Sequence, residues 1–304
     1  MLRQIKSIRN ALSDFVAMTI DRYPRLESPC IALGKAFQSI PLLCKIYPRI
    51  VEKLRTIWST SPRRFRKVRI EGLEFLFDVT DFTACGLFFY GKPFEHPTTS
   101  RLTKLLHPGA TILDVGANKG YFTILSALVV GSRGRVYAFE PNPIILDGLR
   151  EHIQYNALND RVHVDSSALS SSSFENAKLY LSSDPFNSGL ASLTPFTTSI
   201  NNQLLSHNNM VLVSTTTLDG WLAQQGDLGS IDVIKVDVEG AEELVLDGAQ
   251  RTLQESPPKH WIIETSLDSP IVGRLEAHGY HSEVLEQAGE LANILFTHRS
   301  VLAG

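Results

Sequence analysis

The segment TILDVGANKGYFTIL, residues 111–125, constrains the fold more than any other stretch of the chain. Thr111, Ile112 and Leu113 are β-prone and apolar, and from Tyr121 apolar residues recur at helical spacing, so 114–120 reads as a turn from a strand into a helix. A turn of this kind is expected to point free backbone N–H groups at whatever lies above it. The change of period recurs, with strands expected at 135–139, 162–164, 231–236 and 261–263 and helices beginning near Ile144 and Ala241. Strands separated by helices imply parallel pairing through right-handed crossovers, hence an open α/β sheet with helices on both faces. Ligands bind such sheets beyond the carboxyl ends of the strands.

Before this region, VRIEGLEFLFDV (68–79) alternates apolar and polar residues around Gly72, as a β-hairpin does, and 80–110 reads as loop and helix. Residues 170–217 are rich in Ser, Asn and Thr, with strands expected in KLYL (178–181) and MVLVSTTTL (210–218). The loop between them, 182–196, is either a binding element or a surface excursion. At the front, Leu2, Ile5, Ile8, Leu12, Phe15 and Thr19/Ile20 recur every three to four residues among Arg3, Lys6 and Arg9, the pattern of a basic amphipathic helix. Prolines 24, 29, 41, 48 and 62 then divide the segment into short helices. The expected organisation is a basic helical extension, 1–67, followed by one α/β domain, 68–304.

Charge supports that division. Residues 1–69 hold 15 Lys and Arg against 4 Asp and Glu, and the remainder holds 14 against 28. Three readings of the front are open: packing through its apolar stripe, docking on a membrane surface or an anionic partner, or a cleaved organellar presequence. No run of eighteen apolar residues and no secretory signal is present. Cys30, Cys44 and Cys85 form no CxxC pair, which speaks against a disulfide framework or a zinc site. The expected home is the cytoplasm, with a membrane-peripheral place allowed by the front.

The turn at 114–120 has the form D-x-G-x-x-x-G. It lacks both the G-x-G-x-x-G of dinucleotide sites and the G-x-x-x-x-G-K-[ST] of phosphate loops. An acid there repels pyrophosphate and suits an ammonium group. Glu140, in VYAFEPNP, follows Asp114 by 26 residues and stands where a carboxylate takes hydrogen bonds from ribose hydroxyls. Each acid alone is equally a helix cap or a solvated charge; together they point to a nucleoside without phosphates. In KVDVEG, strand alternation sets Lys235, Asp237 and Glu239 on one side. Either Lys235 forms an ion pair with Asp237 or Glu239, or Asp237 stands beside a substrate.

ILDVGANKGYFT (112–123), AFEPNP (138–143), NSGLASL (187–193), TTLDGWL (216–222) and IDVIKVDVEGAEELVLDGA (231–249) together resemble the FkbM family of S-adenosylmethionine-dependent methyltransferases. The resemblance covers roughly residues 85 to 265 and implies a Rossmann-like class I methyltransferase fold and O-methylation of a sugar, glycan or other small-metabolite hydroxyl. It implies that Asp114, Gly116, Ala117, Asn118 and Gly120 hold the methionine end, that Glu140, with Pro141 and Asn142, holds the ribose, and that Ala168, Leu169 and Ser170 read adenine, with Asp165 as a second candidate. Tyr90 and Glu95 fall in a stretch resembling the family's cap over the cofactor. Methyl transfer needs alignment and a base; Asp237 is the first candidate, Glu239 the second and His96 the third. No metal is assigned, and Asp237, Glu239 and Glu264 would be the oxygen ligands if a divalent ion were used. Against these stand a nicotinamide oxidoreductase, a non-catalytic cofactor-binding module, and a nucleic-acid methyltransferase, the last opposed by the acidic body.

Overall fold

The computed structural model describes residues 2–36, 45–181, 191–194 and 209–302. They form two compact units, Met1–His96 and Pro97–Gly304. In the first unit three helices, Leu2–Arg22, Glu27–Ala36 and Tyr47–Trp58, precede the hairpin of β1 (Phe65–Ile70) and β2 (Leu73–Asp78), which pair antiparallel as their alternation implies. Glu71 and Gly72, both at positive φ, make the turn. The first helix corrects one expectation. Leu12 and Phe15, on the stripe expected to pack, are exposed, and the buried face is Ser13, Ala17 and Ile20.

The second unit carries the strands β3 (Thr111–Val115), β4 (Arg135–Phe139), β5 (Val162–Asp165), β6 (Ala168–Leu169), β7 (Phe174–Leu181), β8 (Ala191–Ser192), β9 (Met210–Thr216), β10 (Val233–Val236), β11 (His260–Ser266), β12 (Tyr280–Ala288) and β13 (Leu291–His298). Seven of them form one sheet in the order β12-β13-β11-β10-β3-β4-β5. From β11 to β5 every pairing is parallel, as expected for the strands at 111–115, 135–139, 162–164, 231–236 and 261–263, whereas β13, in a stretch for which no strand was expected, runs antiparallel to both neighbours. The reason is local: β12 and β13 are joined through Gly289 in two residues, a connection that only antiparallel strands accept. A second sheet, β6-β9-β7-β8, holds the Ser/Thr-rich region.

The centre of the large sheet is apolar on both faces. Leu113, Val115, Ile234, Val236, Trp261, Ile263 and Phe296 form one cluster, and the helix Tyr121–Val130 buries most of its length. Each fully buried aliphatic or aromatic side chain there contributes about 2 kcal/mol. All four residues of β10 are buried, including Lys235 at 1% exposure. A lysine inside that core is costly unless paired, which draws attention to the strand ends.

Candidate active site

β3 ends in a turn whose geometry depends on glycine. Gly116 sits at φ 81°, and a Cβ on it would lie 1.8 Å from the Asp237 carbonyl oxygen, so the chain after β10 passes directly over it. Gly120 is at φ 91°, and Asn118 also takes the left-handed region at φ 51°. The expectation of free amides does not hold. Gly116 N–H and Ala117 N–H donate to the Phe139 carbonyl at 3.0 and 2.9 Å, and Gly120 N–H donates to the Ala117 carbonyl at 2.9 Å. Asn118 N–H donates to Glu140 Oε2 and Lys119 N–H to Asn118 Oδ1, each at 2.8 Å. Every N–H from 116 to 120 is thus used inside the protein: the first two bond the end of β4, the third the Glu140 side chain, and the last two the turn itself.

The acids expected at the site occupy different environments. Asp114 is 1% exposed, and its Oδ2 accepts from Thr123 Oγ1 at 2.5 Å. Burial pushes its carboxyl up, against Lys235 and the Thr123 bond, which pull it down. Glu140, 6% exposed, also accepts at Oε1 from Asn142 N–H at 2.8 Å. Burial raises it to about 7, with Asp114 and Asp237 adding repulsion and the two amides opposing. Asn142 Oδ1 caps the helix Pro143–Tyr155 through the Ile144 amide, so Pro141 and Asn142 set the direction of the chain leaving Glu140. Ala168 and Leu169 are buried in β6, and the Ser170 amide donates to the Thr216 carbonyl at 2.9 Å, which ties these three into the second sheet. Asp165 accepts from Trp221 Nε1 at 2.9 Å and from Ser167 N–H at 2.8 Å, holding the exposed Ser166 at the tip of that turn.

The fourth parallel strand, β10, ends differently. Lys235 lies beside Asp114 in the ladder; its Nζ is 3.0 Å from Asp237 Oδ2 and 4.4 Å from the centre of the Phe122 ring. The ion pair expected as one alternative is present, and Asp237 remains partly exposed. Strand alternation does not extend to Glu239, because β10 stops at Val236 and Glu239 stands in the left-handed region at φ 55°. Glu239 is half-buried, and burial together with repulsion from Asp237 and Glu264 raises its carboxyl well above the ordinary range. Glu242 shapes this turn, with Oε1 accepting from Gly240 N–H at 3.0 Å and Val238 N–H at 3.3 Å. Thr194, at the described end of the 182–196 segment, donates from Oγ1 to the Gly240 carbonyl at 3.1 Å. The central residues of that loop, with Asn187, Ser188 and Gly189, lie outside the described residues.

The structure therefore brings these acids close together: the charge of Asp237 raises Asp114, Glu140 and Glu239, Asp114 adds to Glu140, and Glu264 adds to Glu239. Among the described residues no three His, Cys, Asp or Glu side chains are arranged to hold a metal ion, so Asp237, Glu239 and Glu264 do not assemble as a ligand set. His96 is the last residue of the first unit and lies 3.3 Å from Glu71 of the hairpin turn. Tyr90 closes a π-helical turn, Gly86–Tyr90, and Glu95 is at φ 39° in the same unit. Sequence reasoning overlooked Thr123, Phe122, Trp221 and Glu242. Only Glu242 carried a usable signal, an acid in the first turn of a helix two residues after Gly240.

An open sheet with the doubly wound order, an antiparallel pair at one edge and acids at the ends of its central strands is the Rossmann-like fold of the class I methyltransferases. The chain belongs to the methyltransferase FkbM domain family, whose model matches residues 114–299. It is 30% identical over 125 residues to a protein-L-isoaspartate O-methyltransferase of Aeropyrum pernix, covering 38% of this chain and 48% of that protein. It is 34% identical over 73 residues to a ribosomal protein L11 methyltransferase of Carboxydothermus hydrogenoformans, 23% of each chain. The matches thus span about half of the first relative and a quarter of the second. A precorrin-6y C5,15-methyltransferase of Geobacter metallireducens superposes with a TM-score of 0.40 at 15% identity, covering 67% of this chain and 89% of that one. No helix among the described residues is long and apolar enough to cross a membrane.

Proposed function

We propose that this chain transfers the methyl group of S-adenosylmethionine to a hydroxyl oxygen of a sugar, glycan or similar small metabolite. The observation that carries the reading is a turn whose amides from 116 to 120 are all used within the protein, set beside the carboxylates of Asp114, Glu140 and Asp237. That donor set suits a ligand bearing an ammonium, a sulfonium and a ribose diol, and it opposes a pyrophosphate. Each oxygen of Glu140 accepts one backbone amide and keeps a second lone pair, so the carboxylate takes both ribose hydroxyls. Asp114 and the 116–120 turn hold the methionine end. Adenine lies against the 165–167 turn, backed by Ala168, Leu169 and Ser170.

The bound cofactor supplies an electrophilic methyl on a sulfonium, a leaving group that needs no acid. The protein's task is alignment and removal of one proton. Lys235 holds Asp237 at the end of β10, where its carboxylate orients the acceptor hydroxyl and takes its proton. Glu239 is the second candidate for that role. The acceptors named for the relatives differ, so the hydroxyl reading rests on this chain's carboxylates, which accept hydroxyl hydrogens.

The test is transfer from methyl-labelled S-adenosylmethionine to a panel of mono- and oligosaccharides. Label is expected as an ether stable to mild base, with Asp237→Asn keeping cofactor binding and losing about a hundredfold or more in turnover. A base-labile ester or an N-methyl product would remove the hydroxyl assignment, and an Asp237→Asn variant of unchanged rate would remove Asp237 as the base.

A further inference from the structure

The first helix buries its less apolar face. Ser13, Ala17 and Ile20 are at most 2% exposed, while Leu12, Phe15 and Met18 on the other side are 46%, 69% and 65% exposed. Residues three apart on a helix share a face, so these three form one outward stripe. Tyr23 and Leu26, directly after the helix, are also exposed. Contiguous apolar surface of this kind marks an interaction site rather than scattered exposure.

The charges beside the stripe indicate what covers it. The acids of this region are held by cations: Asp14 lies 3.2 Å from Lys53, Asp21 2.6 Å from Arg63, and Glu27 between Arg63 at 3.1 Å and Arg66 at 2.7 Å. Glu27 is also buried. Arg22 and Arg25, which flank the end of the stripe, are exposed, Arg22 with its guanidinium 6.0 Å from the centre of the Tyr23 ring. The outward face is thus apolar and bordered at its end by the positive charge of Arg22 and Arg25, in a segment that holds 15 basic residues against 4 acidic over 1–69.

We propose that the outward stripe of the helix Leu2–Arg22 docks the protein on an anionic lipid surface. Phe15, Met18 and Leu12 enter the boundary between headgroups and acyl chains, with Arg22, Tyr23 and Arg25 at headgroup level. A second copy of the chain is the weaker fit, because a two-fold interface through this face sets like charges against each other. The inference is independent of what the second unit methylates.

Sedimentation of the full chain with vesicles tests it. Vesicles of phosphatidylcholine with about 30% phosphatidylserine are expected to bind it, and pure phosphatidylcholine vesicles to bind it at least about tenfold more weakly. Phe15→Glu with Met18→Glu is expected to cost about tenfold or more in partitioning at unchanged melting temperature. Arg22→Glu with Arg25→Glu is expected to weaken binding and its salt dependence. Equal binding to both vesicles, no binding to either, or a dimer in analytical ultracentrifugation that the Phe15/Met18 pair dissolves without any vesicle binding would overturn the proposal, the last in favour of a second copy.

Discussion

The turns that end β3 and β10 lie one over the other, and they are built on opposite plans. In the β3 turn every amide from 116 to 120 has a partner, and the left-handed positions are taken by two glycines and an asparagine whose own side chain supports the turn. In the β10 turn a half-buried glutamate occupies a left-handed position, next to a partly exposed aspartate held by a buried lysine. The first turn is at rest and defines a surface. The second stores strain and charge, which proteins retain where chemistry is done. Polarity alone does not distinguish them; what does is that the β10 turn places a glutamate, raised by burial and by the charge of its neighbours, in a left-handed position.

The largest effect is expected from the link between the two turns. Lys235→Met leaves Asp114, Asp237 and Glu239 without their ammonium and is expected to cost about 3–5 kcal/mol, read by denaturant unfolding at pH 7. With the lysine gone, its charge no longer offsets the burial that raises Asp114 and Glu239, so the loss is expected to shrink as pH falls. A loss under about 1 kcal/mol would mean that the carboxylates are better solvated than this comparison holds. Gly116→Ala follows. Its Cβ meets the Asp237 carbonyl and its φ is left-handed, so about 3 kcal/mol is expected, with cofactor binding lost as the β10 turn is displaced.

A smaller pair of substitutions sets the two turns directly against each other. Glu239→Gly removes left-handed strain and a repelled carboxyl, and is expected to raise stability by about 1 kcal/mol while turnover falls. Asn118→Gly at φ 51° is expected to give no such gain, because it deletes the bond from Lys119 N–H to Asn118 Oδ1. Equal stability changes in the two variants would erase the distinction between a resting and a strained turn.

Much of this was legible in the sequence. The switch from alternating to helical spacing around 114–120 located the first turn, and the strand-end positions of Glu140 and Asp237 located the rest of the site. The satisfied amides were not legible, because they depend on Glu140 and Phe139 reaching back from the neighbouring strand. Thr123 and Phe122 look like ordinary residues of an inward helix face, and only the ladder register shows Lys235 beside Asp114. For the first helix, periodicity revealed a stripe but not which way it faces. The burial of Ser13 and Ala17 in place of Leu12 and Phe15 follows from packing against the helix Tyr47–Trp58, far along the chain, which no local pattern encodes.

Calorimetric titration with S-adenosylmethionine, comparing the wild-type chain with Glu140→Gln between pH 5.5 and 7.0, tests the central claim most directly. Glu140 titrates near 7 against an ordinary value of 4.5, so the free native chain holds an extra proton between them. Its stability is therefore highest below 4.5 and falls as pH rises through about 7, by about 3 kcal/mol in the limit. Ribose hydroxyls bind the ionised carboxylate, so affinity is expected to rise about tenfold across the titrated range, with a proton released on binding. In Glu140→Gln the affinity is expected to be weaker and flat with pH, and NADH is expected not to bind the wild-type chain. A folded wild-type protein that fails to bind S-adenosylmethionine, or binds it with the same pH dependence as Glu140→Gln, would contradict the account.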